Sequence, residues 1–313
     1  MNFPRFSNFV CALPIWLAVL CVSGSVRAES KVDLVPGEAD TLEIRIGDQP
    51  FATYNYSHSL PKPFLLPVRT ASGTVLNRVL GDLSDADHPH HKGLWLSIDE
   101  VNGERFWAEK APIVNVSVKS ENSGTAAAVV VVNNHWQNSK TQAVELNETT
   151  RITIHANRLL TYDITLTAAE KDVTFEDTKE GLLGFRVAPS MKEKNGGHVV
   201  SSDGQTGTKD CWGKPFAWID YFGTVDGKTV GVALMDHPNN FRPSRYHVRD
   251  YGLFSISPFG EKSYTNGANE AKPLTLKKGE SVHLVYGVYF HDGDTTEAHV
   301  ADAYTQFLSS TKK

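Results

Sequence analysis

The chain has 313 residues, 40% of them hydrophobic and 21% charged, with 31 Lys and Arg against 36 Asp and Glu and a formal net charge of -5. That balance offers no basic patch for nucleic acid and no attraction to an anionic membrane surface. The length suffices for a substantial core, in one large β domain or two smaller ones.

Residues 1–28 have the form of a secretory signal peptide: a basic Arg5, an apolar stretch over 9–22, then Val26-Arg27-Ala28, whose small residues suit cleavage before Glu29. The expected protein is therefore secreted or periplasmic, with no membrane insertion after signal cleavage. Removing that segment takes away Arg5 and Arg27 and no acid, so the charge becomes more negative. It also takes away Cys11 and Cys21, leaving Cys211 as a packed thiol with no internal partner. Beyond it, period-two patterning dominates. Leu42, Ile44 and Ile46 alternate with polar residues, as do Val114, Val116 and Val118, and again Leu160, Tyr162, Ile164 and Leu166. Further strands are predicted at 51–56, 94–96, 126–132, 151–155, 229–235 and 281–290. Gly47-Asp48, Asn102-Gly103 and Asp226-Gly227 supply turns between them. One helix is predicted at the end, with Asp294 as N-cap, Glu297 completing a capping box, and Val300, Tyr304, Phe307 and Leu308 on one apolar face. The economical reading is a mostly β chain, a single large antiparallel β-sandwich domain over 29–313 with a short C-terminal helix packed outside the sheets.

The densest chemistry lies in Asp85-Ala86-Asp87-His88-Pro89-His90-His91-Lys92-Gly93. Imidazole titrates near neutrality and can donate, accept or ligate, so such a cluster suits acid/base work. Pro89 is expected to push His88 into an extended conformation, while Gly93 lets the chain turn into Leu94-Trp95-Leu96. The core of this segment recurs as Asp236-His237-Pro238-Asn239-Asn240, followed by a stretch rich in Arg, His and Tyr up to Gly252. The two Asp-His-Pro segments are expected to face one pocket. Candidate catalytic residues are His88, His90, His91, His237 and Arg249. Candidate ligand-binding residues are Asp87, Lys92, Trp107, Trp218, Asn239, Arg242 and His247, with Arg186 and Glu180 in second rank because the acidic stretch 176–180 also suits a solvated hairpin. Trp95 is assigned to the core. The histidine spacing matches no zinc signature, and no nucleophile elbow, phosphate loop or dinucleotide fingerprint occurs, so neither metal nor cofactor is expected.

Five segments in order carry a resemblance: Asp-His-Pro-His-His-Lys-Gly-Leu-Trp at 87–95, Asn-Gly-Glu-Arg-Phe-Trp at 102–107, Asp-His-Pro-Asn-Asn at 236–240, Tyr-His-Val-Arg-Asp-Tyr-Gly at 246–252 and Ser-Pro-Phe-Gly at 257–260. Together they resemble a family of exported bacterial proteins known as methane oxygenase PmoA. No oxidation chemistry is carried over with that name, because no segment after residue 28 is apolar for long enough to span a bilayer. A fainter likeness, in strand order and in Lys171–Phe175 and Val285–Phe290, is to the galactose-mutarotase-like supersandwich. It implies a sandwich that serves sugars, although 175–185 holds no second histidine of the mutarotase kind. The expectation is thus an exported carbohydrate-active protein using histidine acid/base proton transfer on a small-molecule or glycan substrate, as an epimerase, isomerase or lyase. The alternatives are a non-catalytic carbohydrate-binding protein and a metal-dependent hydrolase or oxygenase. Oligomeric state is not legible.

Overall fold

The computed structural model describes residues 1–4, 30–81 and 86–311. Beyond residues 1–4 the expected signal peptide lies outside the described residues, as does Asp85. Strands are numbered in chain order. The first sheet runs, in space, β1 (Val32–Pro36), β2 (Thr41–Ile46), β3 (Gln49–Asn55), β4 (Phe64–Val68), β5 (Leu94–Leu96), β11 (Leu183–Arg186), β16 (Leu253–Ser257), β15 (Arg245–Val248). The second runs β12 (His198–Ser201), β13 (Trp218–Val225), β14 (Lys228–Asp236), β18 (Ser281–Asp292), β9 (Leu159–Ala168), β8 (Val144–His155), β7 (Ala127–Gln137), β6 (Ile113–Glu121). A small pair, β10 (Val173–Phe175) and β17 (Leu274–Leu276), stands apart, and the described pairings within all three sheets are antiparallel.

Alternation sorts the side chains, because successive residues of a strand point to opposite faces. On β9, Leu160, Tyr162, Ile164 and Leu166 enter the core shared by the two sheets, while Leu159 joins a separate cluster on the far face. On the first sheet Leu94, Phe185, Tyr246, Phe254 and Ile256 point inward. Their neighbours Trp95, Arg186, His247, Leu253 and Ser255 therefore point outward, and loops cover them. Among the strands the pattern missed, β11 and β16 are buried on both faces, so they show no wet alternate positions.

One helix matches expectation with a shifted start. Oδ1 of Asp294 accepts the amides of Thr296 and Glu297, and Glu297 returns a bond to the Asp294 amide, but this capping box closes a turn over 295–299. His299 at φ +51° ends that turn, and the last helix, α3 (Val300–Ser310), follows α1 (Thr208–Cys211) and α2 (Glu261–Tyr264) in the chain. Val300 and Phe307 of α3 pack on Leu159, Ala233 and Met235, covering part of the second sheet's outer face. No helix among the described residues is long and apolar enough to cross a membrane.

Gly184 in β11 is the close-approach point of the first sheet's outer face. A Cβ there would stand 2.7 Å from both the Trp107 and Trp95 rings. Gly184→Ala is expected to lose about 1–3 kcal/mol through overpacking, read as a lower urea midpoint at unchanged m-value.

Candidate functional site

A column of four rings rises from the outer face of the first sheet. Trp95 lies under His91 at a centroid distance of 5.3 Å, His88 stacks on His91 at 4.9 Å, and Tyr251 stacks on His88 at 5.2 Å. Trp107 closes on Trp95 at 4.8 Å and meets His91 edge-on at 5.6 Å. Both tryptophans and His91 are 1% exposed. Trp107, expected to stack on a ligand, is thus part of the floor.

Two guanidinium groups fasten segment 86–93 to this column. Arg186 is fully buried; it pairs with the Asp87 carboxylate and approaches Nδ1 of His91 to 3.2 Å. Arg78 donates to Oδ1 of Asp87 at 2.9 Å and to the carbonyls of His88 and His91 at 2.8 and 3.0 Å. Guanidinium only donates, so Nδ1 of His91 accepts and the proton sits on Nε2. That nitrogen is buried without a hydrogen-bond partner, and burial, reinforced by His90 and Arg186, holds the imidazole far below its usual range. His91 is therefore a neutral packed ring rather than a reachable acid or base, and Arg186 is an internal strut rather than a ligand contact.

His88 stands at the rim. Its backbone has φ +47° instead of the expected extended conformation, because its carbonyl is drawn in by Arg78 and by the His91 amide at 3.0 Å. Nδ1 lies 3.1 Å from Oδ2 of Asp87. Burial works to raise the Asp87 carboxyl, but Arg186 and His88 outweigh it and hold it below the usual range. An ionised carboxylate only accepts, so Nδ1 of His88 donates and Nε2 is left as the acceptor.

Lys62 supports the neighbouring turn. Set between Pro61 and Pro63 and fully buried, it donates to the carbonyls of His90 and Trp107 at 2.9 and 3.3 Å and to Glu109 at 2.8 Å. Burial brings its pKa down to about 8. The other Glu109 oxygen takes Lys92 at 2.8 Å, so Lys92 is tied to the scaffold. Burial, and after it the Lys62 charge, lowers His90 to about 4.

The third group comes from β15 and the loops beside it. His247 is buried, donates from Nδ1 to the Lys179 carbonyl at 3.1 Å, and is pushed by burial and by Arg249 down to about 3. Glu180 is half-buried, and burial raises its proton affinity despite Lys179 nearby; Asp99, His88 and Arg249 are within electrostatic reach. Arg249 is exposed and lies 5.9 Å from the Tyr251 ring centroid.

The structure thus gathers Asp87, His88, His90, His91, Lys92, Trp107, Glu180, Arg186, His247 and Arg249. It does not bring His237 there. β14 leads to the outer face of the second sheet, where His237 meets Phe307 of α3 at 5.7 Å, so the two Asp-His-Pro segments lie on opposite sides of the sandwich core. Asn239 stays with His237. Trp218 packs against the α3 cluster, and Arg242 donates to the Lys272 carbonyl at 2.6 Å and lies over Phe241. Among the described residues no three His, Cys, Asp or Glu side chains are arranged to hold a metal ion. Sequence reasoning missed Tyr251, Arg78, Lys62 and Glu109. Tyr251 was within reach of it, two residues after Arg249, but a lone lysine between prolines carries no local signal.

These features define a mostly β, two-sheet antiparallel sandwich with a histidine-centred site on one outer face. The chain belongs to a family of unknown function, DUF6807, whose model matches residues 41–305. That match does not carry the PmoA name which the motifs suggested. No curated protein matches the sequence. Among solved structures, the chain is similar to galactose 1-epimerase from Lactobacillus acidophilus (9% identity, 85% of this chain and 100% of that one, TM-score 0.42). It is also similar to a GalM/aldose epimerase homologue from C. elegans (8% identity, 85% and 100%, TM-score 0.36). A third likeness is to a mutant of heparan sulfate lyase HepC from Pedobacter heparinus (9% identity, 84% of this chain and 37% of that one, TM-score 0.41). The functional reading rests on the site's own residues.

Two outcomes follow from the buried charges. In an NMR titration His90 should change protonation near pH 4, and Lys62→Met should move that midpoint up toward the unperturbed value of about 6.5 by removing a neighbouring cation. A midpoint unmoved by the substitution would refute the electrostatic coupling. His90 and His247 take up protons near pH 6.5 when unfolded and only near pH 4 and 3 when folded. Between those values the unfolded state binds more protons, so their contribution is present above pH 6.5 and is lost as pH falls through the window. His247→Asn should flatten this fall relative to the unsubstituted protein in urea unfolding measured from pH 7 to pH 4.

Proposed function

We propose that this chain is an exported protein that binds a sugar or sugar derivative on the outer face of the first sheet and transfers a proton on it, as an epimerase, isomerase or lyase does. One observation carries the reading: His88, oriented by an ionised Asp87, stacks on Tyr251 within electrostatic reach of Glu180, a carboxyl whose proton affinity burial has raised. Two titratable groups whose surroundings differ in this way are what acid/base chemistry on one face requires. In this mechanism Nε2 of His88 takes a proton from the substrate, and the Asp87 carboxylate stabilises the imidazolium that results. A proton returns to the substrate from Glu180, the carboxyl whose proton affinity burial raises. Arg249, exposed beside the Tyr251 ring, faces the oxyanion or carboxylate that develops. His90, neutral through burial and Lys62, adds a hydrogen-bonding group at the rim without adding charge.

The test follows substrate C–H signals by NMR in D2O over a panel of aldoses, ketoses and uronates. Deuterium wash-in or epimer formation is expected with at least one of them. His88→Ala and Glu180→Gln should each slow it by roughly a hundredfold or more. Turnover unchanged in both variants would remove the proposed site. Saturable binding of a sugar with no exchange or conversion in the unsubstituted protein would instead support the non-catalytic carbohydrate-binding reading.

A further inference from the structure

The second Asp-His-Pro segment is left unused by the site on the first sheet, yet it borders an open groove of about 630 Å³ beside α3. We infer that this groove is a separate binding site for a neutral polyhydroxylated ligand, such as an uncharged sugar unit. The floor is the outer face of β8, β9 and β18, carrying Arg151, Thr161, Asp163 and His283, and His237 and Asn239 form one wall.

The wall is a built feature. Asp236 is 7% exposed, and its carboxylate accepts the Ser244 amide at 2.7 Å, the Ser244 hydroxyl at 3.0 Å and the Asn240 side chain at 2.7 Å. Asn240 in turn brackets the Val285 backbone, donating to its carbonyl at 3.0 Å and accepting its amide at 2.7 Å. These bonds commit Asp236 and Asn240 to the turn and leave the two remaining polar side chains, His237 and Asn239, at the groove. Nδ1 of His237 accepts the Asn239 amide at 3.2 Å, so Nε2 carries the proton and is a donor. Burial and the neighbouring His283 lower the His237 pKa, which keeps the ring neutral. Among the described residues the Asn239 side chain makes no hydrogen bond, and the Thr161 hydroxyl on the floor is buried without a partner.

Charge chooses the ligand. Arg151 is paired with Glu121 at 2.8 Å and Asp163 with His283 at 2.7 Å, so the floor's charges are met locally. What remains open is a set of uncharged donors and acceptors, which suits neighbouring hydroxyls and gives an anion no advantage. The volume lies in the range of small-molecule sites.

The inference is independent of the proton transfer proposed for the other face. The test titrates the isotope-labelled chain with glucose, galactose and cellotetraose, with glucuronate as the charged comparator, and follows backbone amides by NMR. Saturable shifts in 151–163, 237–240 and 283–285 are expected with at least one neutral sugar. His237→Ala, Asn239→Ala and the near-isosteric Thr161→Val should each weaken that binding roughly 3–10-fold, while His88→Ala leaves it unchanged. The inference is overturned if none of the neutral sugars shifts these amides, if glucuronate binds more tightly than glucose, or if all three groove variants bind like the unsubstituted chain.

Discussion

Arg186 sits in a central strand beside the His91 and Tyr251 rings and has no surface in contact with water. A guanidinium left alone there would cost several kcal/mol, so the fold has to bring a carboxylate to it. Among the described residues Asp87 supplies a carboxylate to it, and that pairing holds segment 86–93 on the sheet. Most of the site follows from this. His91 is pressed flat on Trp95, and Trp95 and Trp107 close over a strand position that only glycine fits. His88 is turned into a left-handed conformation at the rim. Gly93 must then reverse the chain at φ +58°, where a Cβ would stand 2.0 Å from the Leu65 carbonyl oxygen.

Burial and charge act together on the titratable groups of this face. Desolvation by burial, reinforced by the nearby cations Lys62, Arg186 and Arg249, drives His90, His91 and His247 toward the neutral form. Desolvation has the opposite consequence for Glu180, whose neutral form is the protonated one. One physical cause therefore favours the uncharged form of both kinds of group. The same principle operates inside the sandwich, where Glu148 is buried between the sheets, raised by burial, and satisfied by the Trp136 indole and the Thr150 hydroxyl at 2.8 and 2.7 Å.

Much of the architecture was legible in the chain, and so was part of the site. Alternation in 42–46 and 160–166 identified strands with one buried face, whereas at 114–118 it found the strand but not its buried face, since Ile113 and Asn115 are buried and Val116 is exposed; apolar spacing from Val300 to Leu308 identified the helix. The histidine segment at 87–93 was likewise visible as a dense run of titratable residues between an acid and a glycine. Strands β11 and β16 were not, because a strand buried on both faces has no polar phase to read. Lys62 and Glu109 were invisible for another reason: their 47-residue separation carries no pattern, and only folding brings them to 2.8 Å.

The two Asp-His-Pro segments draw the boundary most clearly. Local sequence determined that each would be a polar turn at the end of an apolar strand, since proline and the flanking polar residues set the backbone and the strand sets the burial. It could not determine which side of the molecule each turn would occupy. β5 and β14 belong to different sheets, and strand order in space depends on pairings between residues distant in the chain. The tertiary structure therefore decided that one segment is drawn down by a buried guanidinium into an aromatic column. The other, its aspartate already satisfied by Ser244 and Asn240, lifts its histidine over a groove on the opposite face.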